Sequence, residues 1–139
     1  MIFKNRKKPH LIAEISANHC GSLNLAKKLI LSAKKNGADA VKIQTFTPDS
    51  MTLKSTKNYF KIKNGIWKGF SYWDLYNKAK TPLEWHKELF AFAKKNKIQI
   101  FSSPFDENAV DFLEKLNCPI YKVASFEMTD LSLIKKISK

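Results

Sequence analysis

The sequence predicts an α/β fold, a parallel sheet or barrel covered by helices, and three observations carry that prediction. Four short apolar runs, "LIAEIS" (11–16), "AVKIQT" (40–45), "IQIFSS" (98–103) and "IYKVAS" (120–125), are nearly continuous, as strands buried on both faces are. Segments with helical periodicity alternate with them. The chain has 139 residues, 44% of them hydrophobic, which is enough for one domain with its own core.

Each element has a local cause. In the first run Glu14 interrupts the apolar residues, and Ser16, Asn18 and His19 follow. Ser22 is placed to cap a helix over 23–36 with Leu23, Ala26, Leu29, Ile30 and Ala33 on one face, and Asn36-Gly37 ends it. In the second run Val41 and Ile43 read as buried, while Lys42 and Gln44 share the other face. A lysine inside an apolar strand is costly unless something pairs with it. Residues 46–80 are rich in Lys, Asn, Ser, Thr and aromatics, too long for an ordinary connector, and contain a short helical pattern near 71–79. "TPLE" at 81–84 reads as a capping box with proline at the first helical position, opening a helix to about 96 that carries Trp85, Leu89, Phe92 and Ala93. Asp106 starts a helix with Val110, Leu113 and Leu116, and Asp130 caps a last one.

The formal net charge of +13 raises nucleic acid or membrane as partners. Arg6 is the only arginine, however, and the lysines fall in pairs such as Lys27-Lys28, Lys34-Lys35 and Lys94-Lys95 along helical segments. Readers of bases and phosphates lean on arginine for bidentate contacts, so the charge reads as solvated helix faces. Neither nucleic acid nor membrane is expected as a partner. A basic nucleic-acid-binding module is the non-enzyme alternative. Two cysteines, Cys20 and Cys118, without CxxC spacing read as reduced thiols of a cytoplasmic protein. The basic start of the chain lacks the apolar stretch of a signal peptide. His10, His19 and His86 are too far apart for a local metal motif.

In a βα barrel the site lies at the C-terminal ends of the strands. There the four runs bring Glu14, Lys42 with Gln44, Ser102-Ser103, and Lys122 with Ser125 and Glu127. Each has a plain structural reading alone, such as a Glu14–Lys42 ion pair or serines capping a helix. Together, two lysines and several hydroxyls suit an anionic, phosphate-bearing ligand, and the carboxylates suit proton transfer or hydroxyl binding. The residues by themselves point to a site for a small phosphorylated or carboxylated metabolite.

"AEISANHCGS", "GADAVKIQTFTPDS", "AKTPLEWHKELFAFAKK", "FSSPFDENAVDFLEKL" and "YKVASFE" resemble the sialic acid (N-acetylneuraminate) synthase family, and within it the pseudaminic acid synthase branch. Cys20 stands where that family usually has Asn or Ala. The resemblance implies that residues 1–139 are four βα units, the N-terminal half of a (β/α)8 TIM barrel. The remaining strands and a C-terminal antifreeze-like domain would lie outside them. It implies condensation of phosphoenolpyruvate with an open-chain 2,4-diacetamido-trideoxy-hexose in a homodimeric enzyme of cell-surface glycan biosynthesis. It also implies a divalent metal, Mn or Mg, held by ligands outside this chain. Carried over by position, Lys42 and Lys122 would hold phosphoenolpyruvate, and Ser103 and Ser125 would bind its phosphate and carboxylate. Glu14 and Glu127 would handle protons near the sugar, and Gln44 would sit on the rim. N-acetylneuraminate or legionaminic acid synthase is the runner-up. Residues 1–139 alone are expected to be inactive.

Overall fold

The computed structural model describes residues 8–139. Residues 1–7, Arg6 included, lie outside the described residues. Strand β1 (Ile12–Glu14) leads to helix α1 (Leu23–Lys35), and β2 (Ala40–Thr45) follows. The long excursion holds two short helices, α2 (Pro48–Met51) and α3 (Tyr72–Ala79). After it come α4 (Leu83–Lys95), β3 (Gln99–Pro104), α5 (Glu107–Glu114) and α6 (Leu131–Ile137).

The strands form a parallel sheet in the order β1-β2-β3, so each strand pairs with the next one in sequence. Helical crossovers between sequential parallel strands are the repeating step of a (β/α)8 barrel, and this chain has the α/β architecture its sequence predicts. The fourth run corrects the expectation of a full strand. It pairs through one bridge, Ser102 with Tyr121, supported by the Lys122 N–H donating to the Ser102 carbonyl at 3.1 Å. Pro119, just ahead, has no N–H to extend the ladder, and the chain turns into a 3-10 turn at Ser125–Glu127.

The main core lies where α1 and α4 cover the sheet: Ala26 and Ile30 from α1 and Leu89 and Ala93 from α4 pack with Val41, Ile43 and Ile100. Register explains why Val41 and Ile43 face the helices while Lys42 and Gln44 do not, because strand side chains alternate in direction. At the C-terminal ends of the strands a smaller cluster of Phe46, Phe105 and Ala124 ties together the segments after β2, β3 and the fourth run. Phe46 meets Phe105 edge-on at 5.5 Å between centroids, and Tyr76 of α3 at 6.0 Å, which anchors the excursion to the sheet.

Helix starts follow side-chain capping. Ser22 accepts from Leu25 N–H, Asp106 from Ala109 N–H and Asp130 from Leu133 N–H, as the sequence indicates. The capping box expected at "TPLE" is not formed. Pro82 takes the N-cap position of α4 without a side-chain bond, and Thr81 is buried with its hydroxyl unpartnered. Thr81 is committed to the interior, and α4 starts one residue later than the pattern indicates. The capping box that does form lies in the excursion, between Thr47 and Ser50 at the start of α2.

Candidate functional site

Parallel pairing places Glu14 of β1 beside Lys42 of β2, and Lys42 beside Phe101 of β3. Register partners project to the same side of a sheet. Glu14 and Lys42 form an ion pair through Oε2, and the other carboxylate oxygen, Oε1, accepts from both the backbone and the hydroxyl of Ser16. Both carboxylate oxygens of Glu14 are therefore engaged, and Lys42 is the awkward strand lysine with its partner found. The Lys42 side chain is largely buried while Glu14 is partly open to solvent. Burial, with a second contribution from the nearby Lys122 ammonium, pulls the Lys42 pKa down to about 8.

The next row toward the strand ends pairs Gln44 with Ser103. The Ser102–Tyr121 bridge, continued by one residue, sets Lys122 beside Ser103 on the side that carries Lys42. Ser103 is buried, and its Oγ has no hydrogen-bond partner. A buried hydroxyl without a partner calls for an explanation, and a ligand at the strand ends would supply one. Lys122 and Ser125 are exposed at the open side of the sheet. Glu127 sits in the turn after the fourth run with Oε2 buried and unpartnered. Burial raises its pKa, while Lys122 pulls it back and Asp130 raises it further. Glu14, Lys42 and Lys122 thus converge with Gln44 and Ser103 on one face, and Glu127 borders Lys122. Ser125 stands at the edge.

Sequence reasoning missed a buried polar chain behind this face. His86 of α4, Thr45 of β2 and Ser102 of β3 are all fully buried. His86 Nδ1 lies 3.0 Å from the Pro82 carbonyl, so Nδ1 carries the proton and donates. Its Nε2 accepts from Thr45 Oγ1 at 2.9 Å. The Thr45 hydroxyl, its hydrogen spent, takes a second bond from Ser102 Oγ at 2.6 Å. Burial lowers the His86 pKa, in keeping with a neutral ring. The signal was present in the helix pattern, because His86 shares the face of Leu89 and Ala93.

His19 is also buried. Gly21 N–H donates to its Nδ1 at 3.0 Å, and its ring meets Trp85 edge-on at 5.2 Å. Burial lowers its pKa against the raising effect of the Lys80 backbone. Among the described residues no group of three or more His, Cys, Asp or Glu side chains is placed to hold a metal ion. Both cysteines are free, Cys20 exposed and Cys118 buried. No helix among the described residues is long and apolar enough to cross a membrane.

The chain is similar to several known proteins. The chain is 52% identical over 131 residues to pseudaminic acid synthase of Helicobacter pylori, covering 94% of this chain and 38% of that protein. It is 42% identical over 134 residues to N,N'-diacetyllegionaminic acid synthase of Campylobacter jejuni, covering 96% of this chain and 40% of that protein. The N-acetylneuraminic acid synthetase of Leptospira borgpetersenii, solved with citrate, superposes with a TM-score of 0.76 at 25% identity, covering 93% of this chain and 41% of that one. The chain therefore spans about two fifths of the length of the relatives it matches. Residues 29–139 match the family directly, and with a parallel β/α sheet and a lysine–carboxylate face at its strand ends the chain belongs to the NeuB family.

Proposed function

We propose that this chain forms the phosphoenolpyruvate-holding part of a pseudaminic acid synthase. The whole enzyme would condense phosphoenolpyruvate with an open-chain 2,4-diacetamido-trideoxy-hexose and release phosphate. The observation that carries the reading is the partly desolvated Lys42 ammonium, fixed by Glu14, with Lys122 near it and the unpartnered Ser103 hydroxyl in the adjoining row. Two ammonium groups against one paired carboxylate leave an excess of positive charge, which suits a phosphate or carboxylate group. Higher identity to a pseudaminic than to a legionaminic acid synthase favours the altrose-type sugar over the runner-up.

Lys42 and Lys122 hold the phosphate and carboxylate of phosphoenolpyruvate, and Ser103 donates its free hydroxyl to them. Ser125 and Gln44 complete the rim. Carbon 3 of phosphoenolpyruvate bonds to the aldehyde carbon of the sugar, and the aldehyde oxygen gains a proton. Water adds at carbon 2, and the tetrahedral intermediate breaks its carbon–oxygen bond to expel phosphate. The Lys42 ammonium, fixed by Glu14 and largely buried, favours the charge that gathers on the leaving phosphate, with Lys122 adding to it from the open side. Glu127, its pKa raised by burial, is the candidate for proton handling, and Glu14 both orients Lys42 and faces the reacting end. The divalent metal, Mn or Mg, that the resemblance implies would be held by residues outside this chain and would polarise the sugar aldehyde. The homodimeric assembly expected from the resemblance belongs to the same proposal.

The reading is tested in two stages. Phosphoenolpyruvate is titrated into this chain by calorimetry, with saturable binding expected and its absence counting against the assignment. A longer protein containing these residues is then assayed for phosphate release with the altrose-type and the legionaminic-type sugar precursors. Faster turnover of the latter would select the runner-up.

A further inference from the structure

We propose that His86 is a positioning residue for the lysine–serine face, acting from behind the sheet through Thr45 and Ser102; the inference rests on the anion-binding role proposed above. The connection is short. Thr45 follows Gln44 in β2, and Ser102 precedes Ser103 in β3. The Ser102 carbonyl receives the Lys122 N–H at 3.1 Å, which together with one bridge is the backbone pairing that holds the fourth run against the sheet. Three of the proposed ligand-holding residues, Gln44, Ser103 and Lys122, are therefore each one step from the buried chain.

His86 suits that work. Its ring bridges the first turn of α4, through the Pro82 carbonyl, to the Thr45 hydroxyl at the end of β2. Thr45 in turn fixes Ser102, whose hydroxyl has a second acceptor in the Ile43 carbonyl at 3.2 Å. While His86 Nε2 accepts from Thr45, the single Ser102 hydrogen is left for Thr45 Oγ1 and the Ile43 carbonyl; without that acceptor Thr45 is free to donate to Ser102 instead. Its ring is also held edge-on by Phe112 of α5 at 5.3 Å. The histidine thereby ties α4, α5, β2 and β3 together at the strand ends, on the side of the sheet opposite the ligand. All members are fully buried, so a broken bond is not replaced by solvent and is felt by the strands.

The test compares His86→Phe, which removes the acceptor at similar bulk, with His86→Gln, which keeps an acceptor and a donor. Thr45→Val serves as a second probe should His86→Phe fail to fold. Two readouts are taken well below each variant's melting temperature: phosphoenolpyruvate affinity by calorimetry, and the Lys42 titration by NMR. The second needs no ligand, because Lys122 helps to depress that pKa. The expected result is that His86→Phe and Thr45→Val weaken phosphoenolpyruvate by about tenfold or more. In both, the Lys42 titration should move up from about 8 as Lys122 loses its place. His86→Gln should restore most of both. Folded variants with wild-type affinity and an unmoved Lys42 titration would overturn the proposal and leave His86 a packing residue. If wild-type chain does not bind phosphoenolpyruvate, the function proposed above fails, while the Lys42 titration still decides the role of His86.

Discussion

Lys42 and Glu14 are register partners on adjacent parallel strands and form an ion pair in which the lysine is the more buried member. The pair answers the problem posed by a lysine inside an apolar strand, but only in part, since the Lys42 pKa is still held near 8. A group left in that condition costs the fold stability and is useful to a ligand.

The first prediction follows from that cost. The folded pKa of Lys42 lies below the ordinary lysine value of 10.5, so between about 8 and that value the unfolded chain binds more protons than the folded one. The contribution of Lys42 to stability therefore rises with pH through this window. Lys42→Met removes that cost, and Glu14 keeps access to water, so stability at pH 7 should equal or exceed that of wild type, by about 1 kcal/mol. Urea denaturation of the two forms checks this. A loss of about 3 kcal/mol would instead mark the pair as structural.

Ser103 gives a second case. Its buried hydroxyl has no partner, so Ser103→Ala should raise stability by about 1 kcal/mol while weakening phosphoenolpyruvate binding. Thermal melts with and without ligand measure both effects on one sample. A destabilised alanine variant would mean that the hydroxyl is satisfied within the fold.

The third prediction sets two caps against each other. Asp106 accepts from Ala109 N–H at 2.6 Å, so Asp106→Ala should cost about 1 kcal/mol. Thr81 caps nothing, so Thr81→Val should be neutral or stabilising. Denaturation midpoints of the two variants distinguish this geometry from the capping box that the "TPLE" pattern indicates.

The fourth concerns acid. His86 has a folded pKa below the ordinary value of 6.5, so as pH falls past that value the unfolded chain gains a proton that the folded chain refuses. His86 therefore subtracts stability as the solution becomes acidic. Urea midpoints at pH 7.5 and 5.5, two arbitrary points about one unit either side of the ordinary histidine pKa, should differ less in His86→Phe than in wild type. An equal difference in both would place the acid sensitivity elsewhere, with buried His19 the next group to test.

Much of this arrangement was legible in the sequence because it rests on local rules. Ser22, Asp106 and Asp130 cap where their side chains can reach a free N–H, and the alternation of Val41 and Ile43 with Lys42 and Gln44 fixes which side faces the helices. Thr81 misled because its side chain is buried in the core, which a spacing pattern does not record. The fourth run reads as a strand from its apolar residues, but it follows Pro119, turns into a 3-10 turn at Ser125–Glu127 and makes one bridge. The His86–Thr45–Ser102 chain escaped because it joins residues 41 and 57 positions apart, and hydroxyls at strand ends read equally well as caps or ligands. The convergence of Glu14, Lys42, Ser103 and Lys122 needed only the parallel order of the strands.

The most direct test of the account is the Lys42 titration, followed by NMR in this chain with and without saturating phosphoenolpyruvate. Free, the ammonium should titrate at about 8. A bound phosphate or carboxylate should carry it upward by about one unit or more, with proton uptake near pH 8.5. A Lys42 titration that phosphoenolpyruvate leaves unmoved would contradict the claim that this face was built to hold it.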